Sequence, residues 1–111
     1  MKYMLSFAHR LATKVDHSGG KGANLALLTQ AGFNVPPGFI VTAQAYRVFI
    51  AGGLDRLRHV ASLPFHDPQQ LRTASERLRA DLNHLQLPPE LIEELRKQLA
   101  HFPQSPAFSV R

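Results

Sequence analysis

Two glycines, a lysine and a third glycine follow one another at Gly19-Gly20-Lys21-Gly22. Residues without a Cβ let the backbone come close to a ligand. Lys21 adds a full positive charge where a helical pattern begins, and a helix start offers unbonded N–H groups and the positive end of the peptide dipoles. That combination suits a di- or triphosphate. It is not a Walker A loop, which needs Gly-x4-Gly-Lys-Ser/Thr. Gly22 and Ala23 follow Lys21, so the magnesium-binding hydroxyl is missing. On the residues alone, a flexible loop is the alternative reading.

Other reactive side chains are scattered. Arg111 closes a short apolar segment, and an arginine at a strand end can fork onto phosphate oxygens. The plain alternative is a solvated residue. Six histidines (His9, His17, His59, His66, His84, His101) show no pair at metal-ligand spacing within a helix. Only His17 lies beside the glycine turn. Ser18 has no neighbouring base to make it a nucleophile. Carboxylates concentrate in the back half and form no acid–base pair. Arg56, Arg58, Arg72, Arg77 and Arg79 could make a basic helix face. Asp55, Glu76 and Asp81 interleave with them, which argues against nucleic acid.

The elements that must position these groups follow from punctuation and periodicity. Residues 3–7 read as a short strand with Tyr3, Leu5 and Phe7 on one face. Residues 21–31 turn helical, with Leu25 and Leu28 facing one way, Ala26 and Leu27 beside them, and Gly32 as the stop. Pro36-Pro37 forbids a helix interior, and Phe39-Ile40-Val41 reads as a buried strand. Thr42 caps a helix through Tyr46, Phe49 and Ile50 that Gly52-Gly53 ends. Residues 54–60 add one or two helical turns. Asp67-Pro68 starts a helix carrying Leu71, Ala74, Leu78, Leu82 and Leu85. Pro88-Pro89-Glu90 starts another with Leu91, Ile92, Leu95 and Leu99 inward, and the two are expected to form an antiparallel hairpin. Glu93 and Lys97 make a favourable i,i+4 pair. The leucine stripes are expected to be core. After Pro103 and Pro106, residues 107–111 look like a strand. This predicts an α+β fold of short strands and a helical hairpin, divided into a glycine-turn and strand part (1–53), a helical part (54–106) and a terminal strand (107–111).

Composition sets the limits. The 111 residues are 44% hydrophobic and 19% charged, with no low-complexity tract, so a folded core is expected. One core is about what such a length supports, which makes a complete multi-domain enzyme improbable. Cysteine is absent, excluding disulfides, thiolate metal sites and a thiol nucleophile. That fits a reducing cytoplasm. No apolar run is long enough to span a bilayer, and the N-terminus lacks the pattern of a signal peptide. Of the net +5, residues 1–53 hold five basic side chains against Asp16 alone, while residues 54–111 hold eight against seven. The front half should attract an anion.

The string Gly19-Gly20-Lys21-Gly22-Ala23-Asn24-Leu25-Ala26-x-Leu28, followed by Ala31-Gly32-Phe33-x-Val35-Pro36-Pro37-Gly38-Phe39-x-Val41-Thr42-x-x-Ala45-Tyr46, resembles the start of a nucleotide-binding domain. That domain belongs to the phosphoenolpyruvate synthase and pyruvate phosphate dikinase family and is shared by rifampicin phosphotransferases. Phe108-Ser109-Val110-Arg111 resembles a strand that the family continues with Ser-Ser-Ala. The likeness is dense from Gly19 to Tyr46 and loose over residues 54–103. His17-Ser18 stand where small apolar residues are usual.

The resemblance implies the first subdomain of an ATP-grasp-type fold. It implies that Gly19, Gly20, Lys21, Gly22 and Arg111 bind ATP phosphates, with no catalytic residue and no metal ligand in this chain. Magnesium would accompany ATP through ligands elsewhere. ATP would phosphorylate a histidine on a separate domain, and pyruvate, or a drug hydroxyl in rifampicin phosphotransferase, would be the acceptor. The expected partners are therefore ATP, the remaining subdomain and the phosphohistidine domain. The 111 residues are expected to be an inactive piece of a cytoplasmic enzyme. Two other readings stand beside this one: a non-catalytic basic module acting through Arg72 and Arg79, and a regulator competing for the partner domains.

Overall fold

Alternation of apolar side chains across two short strands organises the first part of the molecule. β1 (Met4–Ser6) pairs antiparallel with β2 (Phe39–Val41), Met4 opposite Val41, Leu5 opposite Ile40 and Ser6 opposite Phe39. The computed structural model describes residues 3–64, 66–103 and 107–111. Met1, Lys2, Phe65 and residues 104–106, Pro106 among them, lie outside the described set. Helices α1 (Val15–Gln30), α2 (Ala43–Ile50), α3 (Leu54–Ser62), α4 (Pro68–Asn83) and α5 (Pro89–Leu99) complete the α+β fold, with 3-10 turns at Arg10–Thr13 and Ala51–Gly53. The chain divides into two compact units. One holds the described residues up to Tyr46 with those from Pro88 onward, and the other is Arg47–Leu87.

In the first unit the sheet is covered on both faces, as the period of two requires. Leu5 and Ile40 turn to one side and pack with Ala12 and Ala26, joined by Phe7 and Leu11. Met4 turns to the other and packs with Ala45 and Leu91, joined by Tyr3, Phe39 and Leu95. Tyr3 thus lies apart from Leu5 and Phe7, contrary to the expectation of one shared face, because it precedes the strand in a bend. The Thr42 N–H donates to the Tyr3 carbonyl at 2.9 Å, extending the pairing, and the Thr42 hydroxyl accepts from the Ala45 N–H to cap α2. The Tyr3 N–H donates to Glu94 Oε1 at 3.3 Å, tying α5 to β1.

α1 ends as its sequence requires. Gly32 has φ 90°, its N–H reaches the Thr29 carbonyl, and the Phe33 N–H reaches the Leu28 carbonyl. This is a Schellman closure. The Gln30 carboxamide donates to the Phe7 and His9 carbonyls at 2.9 and 3.1 Å and fixes that end beside the sheet. The buried face of α1, however, is Ala23 and Ala26, while Leu27 and Leu28 are exposed. The expected leucine stripe is therefore not the core of this helix. Alanines let the helix axis approach the sheet, and larger side chains are displaced to the flanks.

The second unit contains α3 and α4, which pack on each other. Asp67 caps α4 by accepting from the Gln70 N–H at 2.9 Å, with Pro68 in the first turn. Arg56 Nε lies 2.6 Å from Asp81 Oδ2. Leu82 and Leu85 close over Gly53, where an ideal Cβ would lie 3.1 Å from each. Leu71 is exposed, so this leucine stripe too is only partly core.

Within the second unit α4 packs on α3, and within the first α5 packs on β1 through Leu91. Residues 107–111 form no strand. A strand needs a ladder partner, and among the described residues the sheet has only β1 and β2.

Candidate functional site

The glycine turn is an interruption within α1. Gly19 has φ 70° and ψ 171°, a conformation that is essentially glycine-only, and the helix resumes at Gly20. Lys21 therefore sits in the first turn of the resumed segment, whose N–H groups lack carbonyls one turn back. An ideal Cβ at Gly19 or Gly20 meets nothing within 4 Å, so the space before both is open. Gly22 differs. A Cβ there would stand 3.2 Å from the Ser18 Cβ and 3.4 Å from Ile40 Cγ1. Gly22 faces inward and lets the helix approach β2.

Lys21 and Arg111 line one cavity of about 220 Å³, together with Asn24, Leu25 and Leu28. Both cationic side chains are exposed. The folded chain thus brings the lysine of the glycine turn and the terminal arginine to a single concavity. Arg111 arrives there without a strand. Phe108 meets Phe102 edge-on, and Phe102 meets Phe39 of β2, which anchors the terminal segment. Arg111 Nε also donates to the Ser109 hydroxyl at 3.4 Å.

Asn24 is a polar lining residue to which sequence reasoning gave no role. The available signal was its spacing, three residues after Lys21 and on the same helical face. Leu25 and Leu28, expected in the core, form the apolar wall of the cavity. His17 is half-buried and does not line it. The Ser18 hydroxyl is enclosed and has no hydrogen-bond partner among the described residues.

A larger cavity, about 990 Å³, lies elsewhere, between α3 and α4. Its charged lining mixes Asp55, Asp67 and Asp81 with Arg56, His59 and Arg77, and Arg56 is already paired with Asp81. It therefore lacks the uncompensated positive charge that a phosphate chain needs, and the smaller cavity is the better phosphate candidate. The Arg56–Asp81 pair also breaks up the basic face considered for nucleic acid. Among the described residues no three His, Cys, Asp or Glu side chains are grouped to hold a metal. No described helix is long and apolar enough to cross a membrane.

Fold and cavity together describe an α+β module in which Lys21 and Arg111 share one concavity. The family model for the pyruvate phosphate dikinase AMP/ATP-binding domain matches residues 15–111, and the chain belongs to that family. A probable phosphoenolpyruvate synthase of Methanocaldococcus jannaschii is 40% identical over 95 residues, 82% of this chain and 8% of the relative. A rifampicin phosphotransferase of Streptomyces sviceus is 32% identical over 114 aligned residues, 99% of this chain and 13% of the relative. A phosphoenolpyruvate synthase of Pyrococcus furiosus is 66% identical over 32 residues, 29% of this chain and 4% of the relative. The chain thus spans a small fraction of the length of these relatives.

Proposed function

We propose that this chain is the opening portion of the ATP-binding domain of a phosphoenolpyruvate synthase-like phosphotransferase. In this reading Lys21, Arg111 and the open backbone at Gly19-Gly20 hold the phosphates of ATP. Gly22 contributes by keeping the helix close to β2. The observation that carries the reading is the shared cavity of Lys21 and Arg111. Its 220 Å³ lies below the range of about 300–1,000 Å³ usual for whole small-molecule ligands. It suits a phosphate chain, with the nucleoside held by residues beyond this site, as an ATP-grasp architecture would provide.

The chemistry asked of these residues is modest. Phosphoryl transfer depends mainly on positioning and on neutralising charge at the phosphate oxygens. Lys21 supplies a point charge and Arg111 a planar fork, which together orient the chain of phosphates. The γ-phosphoryl group would pass to a histidine of a separate domain in a cytoplasmic enzyme and then to pyruvate. A drug hydroxyl is the alternative acceptor, supported by the match to the Streptomyces rifampicin phosphotransferase across 99% of this chain. Both readings use the same site. The 111 residues alone bind nucleotide without transferring phosphate.

Calorimetric titration tests the site. ATP should bind more tightly than AMP, and Lys21→Ala or Arg111→Ala should each weaken ATP binding by about 1–3 kcal/mol, the worth of a charged hydrogen bond. Equal affinity of wild type and Lys21→Ala would remove the assignment. Phosphorylation of pyruvate by the chain alone would overturn its non-catalytic part.

A further inference from the structure

We propose that Asn24 is a third, neutral phosphate ligand in the cavity shared by Lys21 and Arg111. The inference rests on reading that cavity as a phosphate site. Asn24 lines it one helical turn after Lys21 and is exposed there. Its carboxamide carries two N–H donors and one carbonyl acceptor. No hydrogen bond to a described residue occupies that group. Thr29, another polar residue of α1, is instead used internally: its hydroxyl donates to the Leu25 carbonyl at 2.8 Å.

Helix stability does not account for Asn24. Asparagine is a weaker helix former than alanine, because its side chain competes for nearby backbone groups. The residue does not fill the core either, since the buried positions of α1 are Ala23 and Ala26. What its place offers is a donor that adds no charge. Lys21 is a point charge without directional preference, and Arg111 offers one planar fork. A neutral carboxamide lining the same cavity gives one further phosphate oxygen a defined position.

The test titrates inorganic tripolyphosphate into the 111-residue chain as wild type, Lys21→Ala, Asn24→Ala and Asn24→Asp, at low and high salt, with thermal melts of each. Asn24→Ala should weaken binding about three- to tenfold, the range of one neutral hydrogen bond. Its melting midpoint should hold or rise, a split that a purely structural role would not produce. Asn24→Asp should bind more weakly than Asn24→Ala at low salt, and that gap should shrink at high salt as the carboxylate is screened. Lys21→Ala should weaken binding and reduce its salt dependence. If Lys21→Ala weakens binding and both Asn24 variants bind as wild type, the role of Asn24 is overturned and the phosphate site stands. If wild type does not bind, or Lys21→Ala binds equally well, the site and the role of Asn24 fall together.

Discussion

The rings of Phe102 and Phe108 meet edge-on, with centroids 5.1 Å apart and planes at 74°. Phe102 in turn lies 5.9 Å from Phe39 of β2. These contacts replace the strand ladder that residues 107–111 lack. They tie down the segment that ends in Arg111, which shares a cavity with Lys21, Asn24, Leu25 and Leu28 of α1.

Phe102→Leu should therefore loosen the terminal segment while keeping apolar volume. Each aromatic pair is worth about 0.5–1.5 kcal/mol beyond its buried area. Denaturant unfolding should show a loss of that order. ATP affinity should fall as well, although no phosphate-binding group has been removed. Unchanged ATP affinity in calorimetry would show that the rings do not set the position of Arg111.

Gly19 and Gly20 should respond in opposite directions to the same substitution. Both have open space before them, so a clash is not the issue. Gly19 holds φ 70°, and Gly19→Ala should cost about 1–3 kcal/mol of stability through backbone strain. Gly20 has helical geometry, and Gly20→Ala should stabilise by about 0.4–1 kcal/mol by restricting the unfolded chain. Paired urea denaturation curves measure both. Equal effects would contradict the break at Gly19.

Ser18→Ala should raise stability. The enclosed hydroxyl has no partner among the described residues, and an unsatisfied buried polar group costs about 1–3 kcal/mol. Alanine keeps the Cβ that packs near Gly22 and removes the oxygen. A lower thermal midpoint for Ser18→Ala would mean that the hydroxyl has a role in stability.

Much of the local structure was legible in the sequence. The caps at Thr42 and Asp67, the Gly32 stop, the strand at residues 39–41 and the helix starts at Pro68 and Pro89 all appear where their residue types placed them. The leucine stripe of α1 misled. Periodicity says which side chains share a face, and it does not say whether leucines or the smaller alanines face the sheet. The partner of α5 was not legible for a related reason. Periodicity marks Leu91 as inward without naming what it meets, and Leu91 packs on Met4 and Ala45.

The amino-acid sequence by itself determined the family, the glycine turn at Gly19-Gly20-Lys21-Gly22 and the starts of several elements, but not the helical turn from Val15 ahead of the kink. Those features act through dihedral preferences and hydrogen bonds only a few residues apart. Only the tertiary structure decided that Lys21, Asn24 and Arg111 share one cavity. That meeting depends on contacts between residues distant along the chain, above all the close fit of Ala26 against the sheet and the ring contacts from Phe39 to Phe108. Such contacts arise from complementary shape and volume across the fold, which no local pattern specifies.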